Sequence, residues 1–404
     1  MKKSKVAFLS LNYKPSVGGL VRYIESFSSD LIKRGYDIDV YCSDAKNNKL
    51  KQYEIVDGIS INRFRVLTFN KIFAPFTPII TWLNFKKELK NIDWEQYEII
   101  VVRHVYTAAA LIGNKEAMKK SIYLCPLISS KLQRINSSSQ GFIYKLYSLF
   151  LYPQLYFLER MVVNRFDKFA VLSDSKKTEI EEYFRINRNI NIIPPGIDMD
   201  EFYPSNNNDN ALFRDSLNIE HNDFVFVTVC RLVDEKNVGM LIEAFSDLYK
   251  SIRDIRLVIV GDGPLLSDLK SLSKRKGCEN RVIFAGYQDQ PRKFYSMANC
   301  FVLPSFYEGF GHVFLEANAC GIPAIGFKNN PPKVITATDE IIIEGINGYI
   351  AKEFSNEALS LSMLNAYKQS SKSSAKYKHS IIRFVEDNYT WSVHHKKLIE
   401  LTNE

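Results

Sequence analysis

The 404-residue chain has little cysteine and little histidine, six of each. Its cysteines (Cys42, Cys125, Cys230, Cys278, Cys300, Cys320) are scattered through mostly apolar contexts and include no CxxC pair. That excludes a zinc ribbon or disulfide framework and points to a reducing, cytoplasmic setting. Long apolar runs are also missing. The longest candidate, Leu146 to Leu158, is interrupted by Pro153 and falls short of the ~18 residues of a spanning helix. Lys2, Lys3 and Lys5 before the apolar run Val6 to Leu11 imitate a signal peptide, but the run is short and ends in Asn12-Tyr13-Lys14-Pro15. It reads as a first buried strand. Charge of one sign is only mildly in excess, at +8. No zinc finger, RNA-binding signature or basic repeat accompanies it, so nucleic acid is not an expected partner. A phosphorylated substrate or an anionic membrane surface is. Two DxD matches, Asp37-Ile38-Asp39 in an alternating strand and Asp198-Met199-Asp200 in a turn, lack a strand end with a basic partner. No metal is expected there.

What is present is a repeated alternation of apolar strands and amphipathic helices. In the first half the strand candidates are Lys5–Leu11, Asp37–Ser43, Glu98–Arg103, Ser121–Leu127, Lys168–Ser173 and Asn189–Ile193, with a helix over Leu20–Lys33. In the second half they are Phe224–Val229, Arg256–Val260, Arg281–Phe284, Cys300–Leu303 and Ala324–Phe327, with helices over Val238–Tyr249, Leu265–Lys274, Arg292–Met297 and Gly311–Ala319. The polar stretch Tyr203 to Asn210 reads as a surface loop or linker. The rhythm predicts an α/β chain of two Rossmann-like, doubly wound parallel-sheet domains facing a cleft, with ligands at the carboxyl ends of the strands. The expected domains are 1–196, 197–380 and a helical tail, 381–404, returning to the first domain, with Trp391 as its pin.

Five constellations carry chemistry. Gly18-Gly19 follows the first strand and opens a helix, a place where backbone approaches a ligand closely, or an ordinary turn. Arg231 and Lys236 follow a buried strand, two cations suited to a diphosphate, or simply solvated charges. Gly261-Asp262-Gly263-Pro264 makes a tight turn at another strand end, with or without a ligand beside it. His104 ends the strand Glu98–Arg103, as a structural or a functional imidazole. The fifth runs from Ser305 to Pro323 and sets Glu308 and Glu316 eight positions apart around Gly309-Phe310-Gly311. A strand–loop–helix corner of that kind aims backbone N–H groups and a positive helix end at one point, where a phosphate could sit between two acids.

Taken in this order, these elements resemble family 4 of the retaining glycosyltransferases, which have the two-domain GT-B fold. The likeness covers nearly the whole chain and is strongest from Val229 to Gly348, where Phe284-Ala285-Gly286 and Gly345-Ile346-Asn347-Gly348-Tyr349 also fit the family pattern. The resemblance implies a nucleotide-diphosphate sugar donor, UDP- or GDP-linked, a retained anomeric configuration, and no cofactor or metal. It implies that Glu316 binds the ribose and Glu308 the transferred sugar. Arg231 and Lys236 would neutralise the diphosphate, and the N–H groups of Phe310, Gly311 and His312 would hold sugar or phosphate. His104 would stand by the reacting carbon, Gly18-Gly19 would close over the phosphates, and Gly261 and Gly263 would shape the base or ribose site. Competing readings are a GT-B sugar-nucleotide epimerase, a phosphorylase, or a nucleotide-sugar-binding scaffold without turnover. The paired glutamates favour transfer, and no pyridoxal-type lysine context is evident.

One segment departs from the family. Where a Gly-Gly-x-Pro-Glu stretch is usual, this chain has Asn329-Asn330-Pro331-Pro332-Lys333. Two aromatic-rich regions stand out in the first half. One contains Phe69, Phe73, Phe76, Trp82 and Phe85 beside Arg63, Arg65 and Lys71. The other contains Phe142, Tyr144, Tyr147, Phe150, Tyr152, Tyr156 and Phe157 with Lys145, Arg160 and Arg165. They read either as helices packed on the core or as a monotopic surface for anionic membrane and a glycan or lipid-linked acceptor. The expected setting is the cytoplasm, peripheral to the inner face of the plasma membrane, in bacterial capsule, O-antigen or lipopolysaccharide synthesis.

Overall fold

A computed structural model describes residues 4–16, 18–44, 49–65, 76–131, 133, 142–369 and 375–403. The chain divides into two compact units. The first comprises Met1–Leu172, Lys177–Pro194 and His394–Glu404, and the second Ser173–Lys176 and Pro195–Val393.

The first unit is built on an eight-stranded sheet: β1 (Lys5–Leu9), β2 (Asp37–Ser43), β3 (Tyr53–Val56), β4 (Ile59–Phe64), β5 (Tyr97–Val102), β6 (Ser121–Cys125), β7 (Phe169–Val171) and β8 (Asn191–Ile192). The strand order is β3-β4-β2-β1-β5-β6-β7-β8. Neighbours run parallel except in the β3–β4 hairpin. Val6, Ala7, Phe8 and Leu9 are all buried, as a central parallel strand requires. The helix Gly19–Lys33 lays Tyr23, Ile24, Phe27 and Leu31 into the core, the stripe its spacing predicts.

The second unit carries β9 (Phe224–Val229), β10 (Ile255–Val260), β11 (Val282–Gly286), β12 (Cys300–Leu303), β13 (Ala324–Phe327) and β14 (Gly348–Ala351), ordered β11-β10-β9-β12-β13-β14 and all parallel. Its core centres on Phe226, Leu241, Phe245, Leu257, Ile259, Val302 and Ile325. In both sheets the chain winds outward from a central strand in two directions. Order reverses beside β1/β5 in one and β9/β12 in the other, and such points leave crevices at the carboxyl ends of the strands.

The structure corrects several expectations. The stretch 203–210 is not a linker. It lies inside the second unit, and Asn206 caps a helix, Asn207–Ser216, by accepting the Asp209 N–H at 2.8 Å. β3, β4 and β14 were not anticipated. β3 and β4 join through Asp57-Gly58, both at positive φ, the conformation of a tight hairpin turn. Arg63 is not a surface cation: it sits on the inward face of β4 beside Ile59 and Ile61 and is 3% exposed. Residues through Val393 group with the second unit, so that unit extends past residue 380, and the first unit regains the chain at His394. Trp391 packs its backbone and ring against Gly196 within the second unit. In the first unit the His394 ring bridges the Tyr23 hydroxyl (2.7 Å) and the Pro194 carbonyl (2.6 Å). Phe69, Lys71 and Phe73 lie outside the described residues, as do the side chains of Phe142, Tyr144, Lys145 and Tyr147. Among the described residues no helix is long and apolar enough to cross a membrane.

Candidate functional site

β9 and β12 are hydrogen-bonded parallel neighbours, so the loops that leave them open at one edge of the second sheet. Backbone bonds lace these loops together. The Phe306 N–H donates to the Glu235 carbonyl (3.1 Å), Ile335 N–H to Phe306 (2.8 Å), and Glu308 N–H to Ile335 (3.0 Å). Lys236 ends a 3-10 turn, Asp234–Lys236, which Asn237 closes in the left-handed region at φ 52°. The result is a contact of 2.5 Å between Lys236 Nζ and Glu308 Oε1, with both side chains largely buried. Burial works against the ammonium, but the charge and hydrogen bond of Glu308 outweigh it and hold the Lys236 pKa above its ordinary value. Lys236 is therefore a fixed cation at neutral pH.

The two glutamates have different surroundings. Glu316, in the helix His312–Ala319, is 4% exposed and accepts a hydrogen bond of 2.7 Å from the Tyr295 hydroxyl. Gly311 begins that helix at φ 103°, and a Cβ there would lie 2.8 Å from the Phe314 ring. The chain thus enters the helix through a backbone angle that favours glycine, and the N–H groups of the cap Gly311 and of His312, at the first helical position, lack intrahelical acceptors, with Phe310 just before them. Phe310 is buried, its ring 6.2 Å from Tyr389. Ser305 is buried, with no hydrogen-bond partner for its hydroxyl among the described residues. Arg231 stands at the rim, its side chain 71% exposed and 3.4 Å from Glu235.

Gly261 and Gly263 have a packing cause. A Cβ on Gly261, at φ 137°, would lie 1.8 Å from the Cys230 carbonyl, and one on Gly263 would lie 2.4 Å from that of Leu232. The turn after β10 therefore presses on the backbone that carries Arg231. It is bonded there by Cys230 N–H to Val260 (3.0 Å) and Leu232 N–H to Asp262 (2.9 Å).

In the first unit the reversal point gathers the other two expected groups. Gly18-Gly19 follows β1, and His104 follows its neighbour β5. Gly18 caps its helix at φ 154°, and no atom lies within 4 Å of a Cβ built on Gly18 or Gly19. His104 caps the helix Val105–Leu111, its Nδ1 accepting the Tyr106 N–H at 3.3 Å. Removal from water lowers its pKa to about 4, so the ring is neutral at pH 7. With Nδ1 accepting, the hydrogen-bond pattern assigns the proton to Nε2.

Residues 209–383 match the family described as glycosyl transferases group 1, and residues 17–201 match glycosyltransferase family 4. The chain belongs to this family of GT-B glycosyltransferases. It is 27% identical to the uncharacterized glycosyltransferase MJ1607 of Methanocaldococcus jannaschii over 80% of each chain. It is 24% identical to an alpha-monoglucosyldiacylglycerol synthase of Streptococcus pneumoniae, over 80% of this chain and 71% of that one. Among solved structures, HepE of Anabaena in complex with UDP superposes with a TM-score of 0.72 at 18% identity, covering 98% of both chains.

Several residues that hold this glycosyltransferase's site together were not foreseen. Tyr295, which bonds Glu316, reads in sequence as an ordinary core aromatic. Asn318, two residues past Glu316, and Asn347 are wholly buried and mutually bonded. The Asn347 amide donates to Asn318 Oδ1 (2.9 Å) and to the Ile341 carbonyl (2.8 Å), while Asn318 donates to the carbonyls of Ile322 and Asn347 (3.0 Å each). A polar residue inside the apolar run Ala317-Asn318-Ala319 was the available signal. The departed loop is held by Asn329, which bonds Thr336 N–H and the Asp339 carboxylate, while Lys333 is exposed.

The glycines differ in how tightly they are packed. Gly261→Ala or Gly263→Ala should destabilise the protein by about 3 kcal/mol or more, whereas Gly19→Ala should stay within ~0.5 kcal/mol. Denaturant titration of the three variants measures both, and equal stability of all three would refute the packing assignment.

Proposed function

We propose that this glycosyltransferase draws its sugar from a UDP- or GDP-linked donor held by the second unit. Glu316 takes the ribose hydroxyls, Glu308 the sugar, and Lys236 with Arg231 the diphosphate. The observation that carries this reading is the Lys236–Glu308 contact at the reversal point of the sheet, 2.5 Å long and largely buried. A cation locked beside an acid at the end of a phosphate-ready helix suits a sugar attached to a diphosphate. The unpartnered Ser305 hydroxyl adds a hydrogen-bonding group there. That UDP occupies the Anabaena relative supports a uridine donor in particular.

In the proposed reaction the bond between the anomeric carbon and the phosphate oxygen breaks, and its electrons remain on that oxygen. The acceptor hydroxyl bonds to the anomeric carbon on the same face, so configuration is retained, and its proton passes to the departing phosphate. Charge that develops on the phosphate is met by Lys236, Arg231 and the N–H groups of Phe310, Gly311 and His312, groups already in place before reaction. The reading requires no metal for this task. His104, neutral and protonated on Nε2, acts as a hydrogen-bond donor near the reacting carbon and not as a base. Gly18-Gly19 lets backbone approach the phosphates.

The acceptor is assigned as a glycan or lipid-linked molecule in surface polysaccharide synthesis, met at an anionic membrane on the cytoplasmic side. Leu149, Phe150 and Phe157 are 68%, 52% and 55% exposed on the helix Phe142–Arg165, with Arg160 and Arg165 on the same helix. An apolar face with cations suits such a surface, and the pneumococcal relative is named for a lipid product.

Glu316→Ala or Lys236→Ala should lower sugar transfer by about 100-fold or more with thermal unfolding little changed. Normal turnover in either variant would refute its role. Sedimentation with anionic vesicles at low salt should fall in a Phe150→Ser, Phe157→Ser double variant, and unchanged binding would remove the membrane assignment.

A further inference from the structure

We propose that Arg63 is a positioning residue for the loop that ends in Gly18-Gly19, and that the β3–β4 hairpin exists to hold that loop. The inference rests on the reading that Gly18-Gly19 meets the donor phosphates. Arg63 occupies a position that strand alternation assigns to the core, following Ile59 and Ile61. A charged group there requires partners. It has three. Nη2 donates to the Lys14 carbonyl at 2.7 Å, Nη1 donates to the Lys51 carbonyl at 3.1 Å, and Nη1 lies 2.6 Å from Glu54 Oε1. Glu54 and Lys51 belong to β3 and the residues leading into it. The guanidinium therefore fastens both strands of the hairpin to the loop after β1.

The hairpin grips Lys14 a second time. Lys14 Nζ lies 2.9 Å from Asp57, at the hairpin turn, and 3.1 Å from Glu25, in the helix that Gly18 opens. Tyr13, just before, is 2% exposed. The loop is thus anchored at Tyr13-Lys14 on one side and at its own helix on the other, with Pro15, Ser16 and Gly18 between those fixed points. Fixing them in advance removes ordering that the ligand would otherwise have to impose. The planar fork of arginine reaches two carbonyls and a carboxylate at once, which a lysine ammonium at the same place does not reproduce.

The test compares donor and acceptor kinetics in Arg63→Lys, Lys14→Met and Gly19→Val. Arg63→Lys retains the charge and a partner for Glu54 but releases the Lys14 carbonyl. It should raise the donor KM about tenfold, as loss of one charge-assisted hydrogen bond does, with kcat and the acceptor KM within about twofold. Lys14→Met, which removes no buried charge, should raise the donor KM in the same direction by a smaller factor. A raised donor KM in Gly19→Val combined with an unchanged one in both Arg63→Lys and Lys14→Met overturns the inference alone. An unchanged donor KM in Gly19→Val overturns the reading of the loop on which it rests. Loss of folded protein in Arg63→Lys with unaltered donor KM in Lys14→Met assigns Arg63 to stability only and also overturns the inference.

Discussion

The contact between Lys236 and Glu308 is the constraint around which the second unit's site is arranged. Taking an ammonium and a carboxylate out of water costs several kcal/mol each, and for Lys236 the charge and hydrogen bond of Glu308 outweigh the effect of burial. The backbone keeps the two loops that carry the pair together. Phe306 is tied to Glu235, and Glu308 to Ile335, so the loop after β12 cannot move without the loop after β9. Oriented charge in a shielded place is what a reaction that creates a phosphate anion needs. On the proposed reading, fold and chemistry meet in those few backbone bonds.

The same division between holding and acting runs through the rest of the molecule. Gly261 and Gly263, expected beside a base or ribose, also have a packing cause: each is pressed against a carbonyl, of Cys230 and of Leu232, next to the chain bearing Arg231. Gly18 and Gly19 have open space around them. Arg63 looks like a surface charge and is a buried clasp, while Arg231 is a cation at the solvent rim. Glu316 owes its orientation to Tyr295 on one side and to the helix that Asn318 and Asn347 fasten on the other.

How much of this could be read beforehand depends on range. Central parallel strands announce themselves as continuous apolar runs, as Phe224–Val229, Cys300–Leu303 and Ala324–Phe327 do, and the alternating strand Asp37–Ser43 likewise has the bounds its residues suggest. The hairpin was legible in principle, since Asp57-Gly58 stands between alternating segments, but β3 and β4 are short and half polar. β14 begins at Gly348, where a Cβ would lie 2.0 Å from the Ala324 carbonyl, a close approach invisible in one dimension. The spacing of Glu308 and Glu316 was legible because both belong to one continuous segment. Their partners were not: Lys236 lies 72 positions from Glu308, and Tyr295 lies 21 from Glu316. Sequence spacing carries no information about such pairs until the sheet brings them together.

The most direct test is a crystal structure of the protein with UDP or GDP bound. The account predicts the ribose hydroxyls on Glu316 and the terminal phosphate within hydrogen-bond reach of Lys236, at the carboxyl ends of β9 and β12. A nucleotide bound elsewhere, or bound there with Lys236 still closed on Glu308 and out of reach of the phosphates, would contradict it.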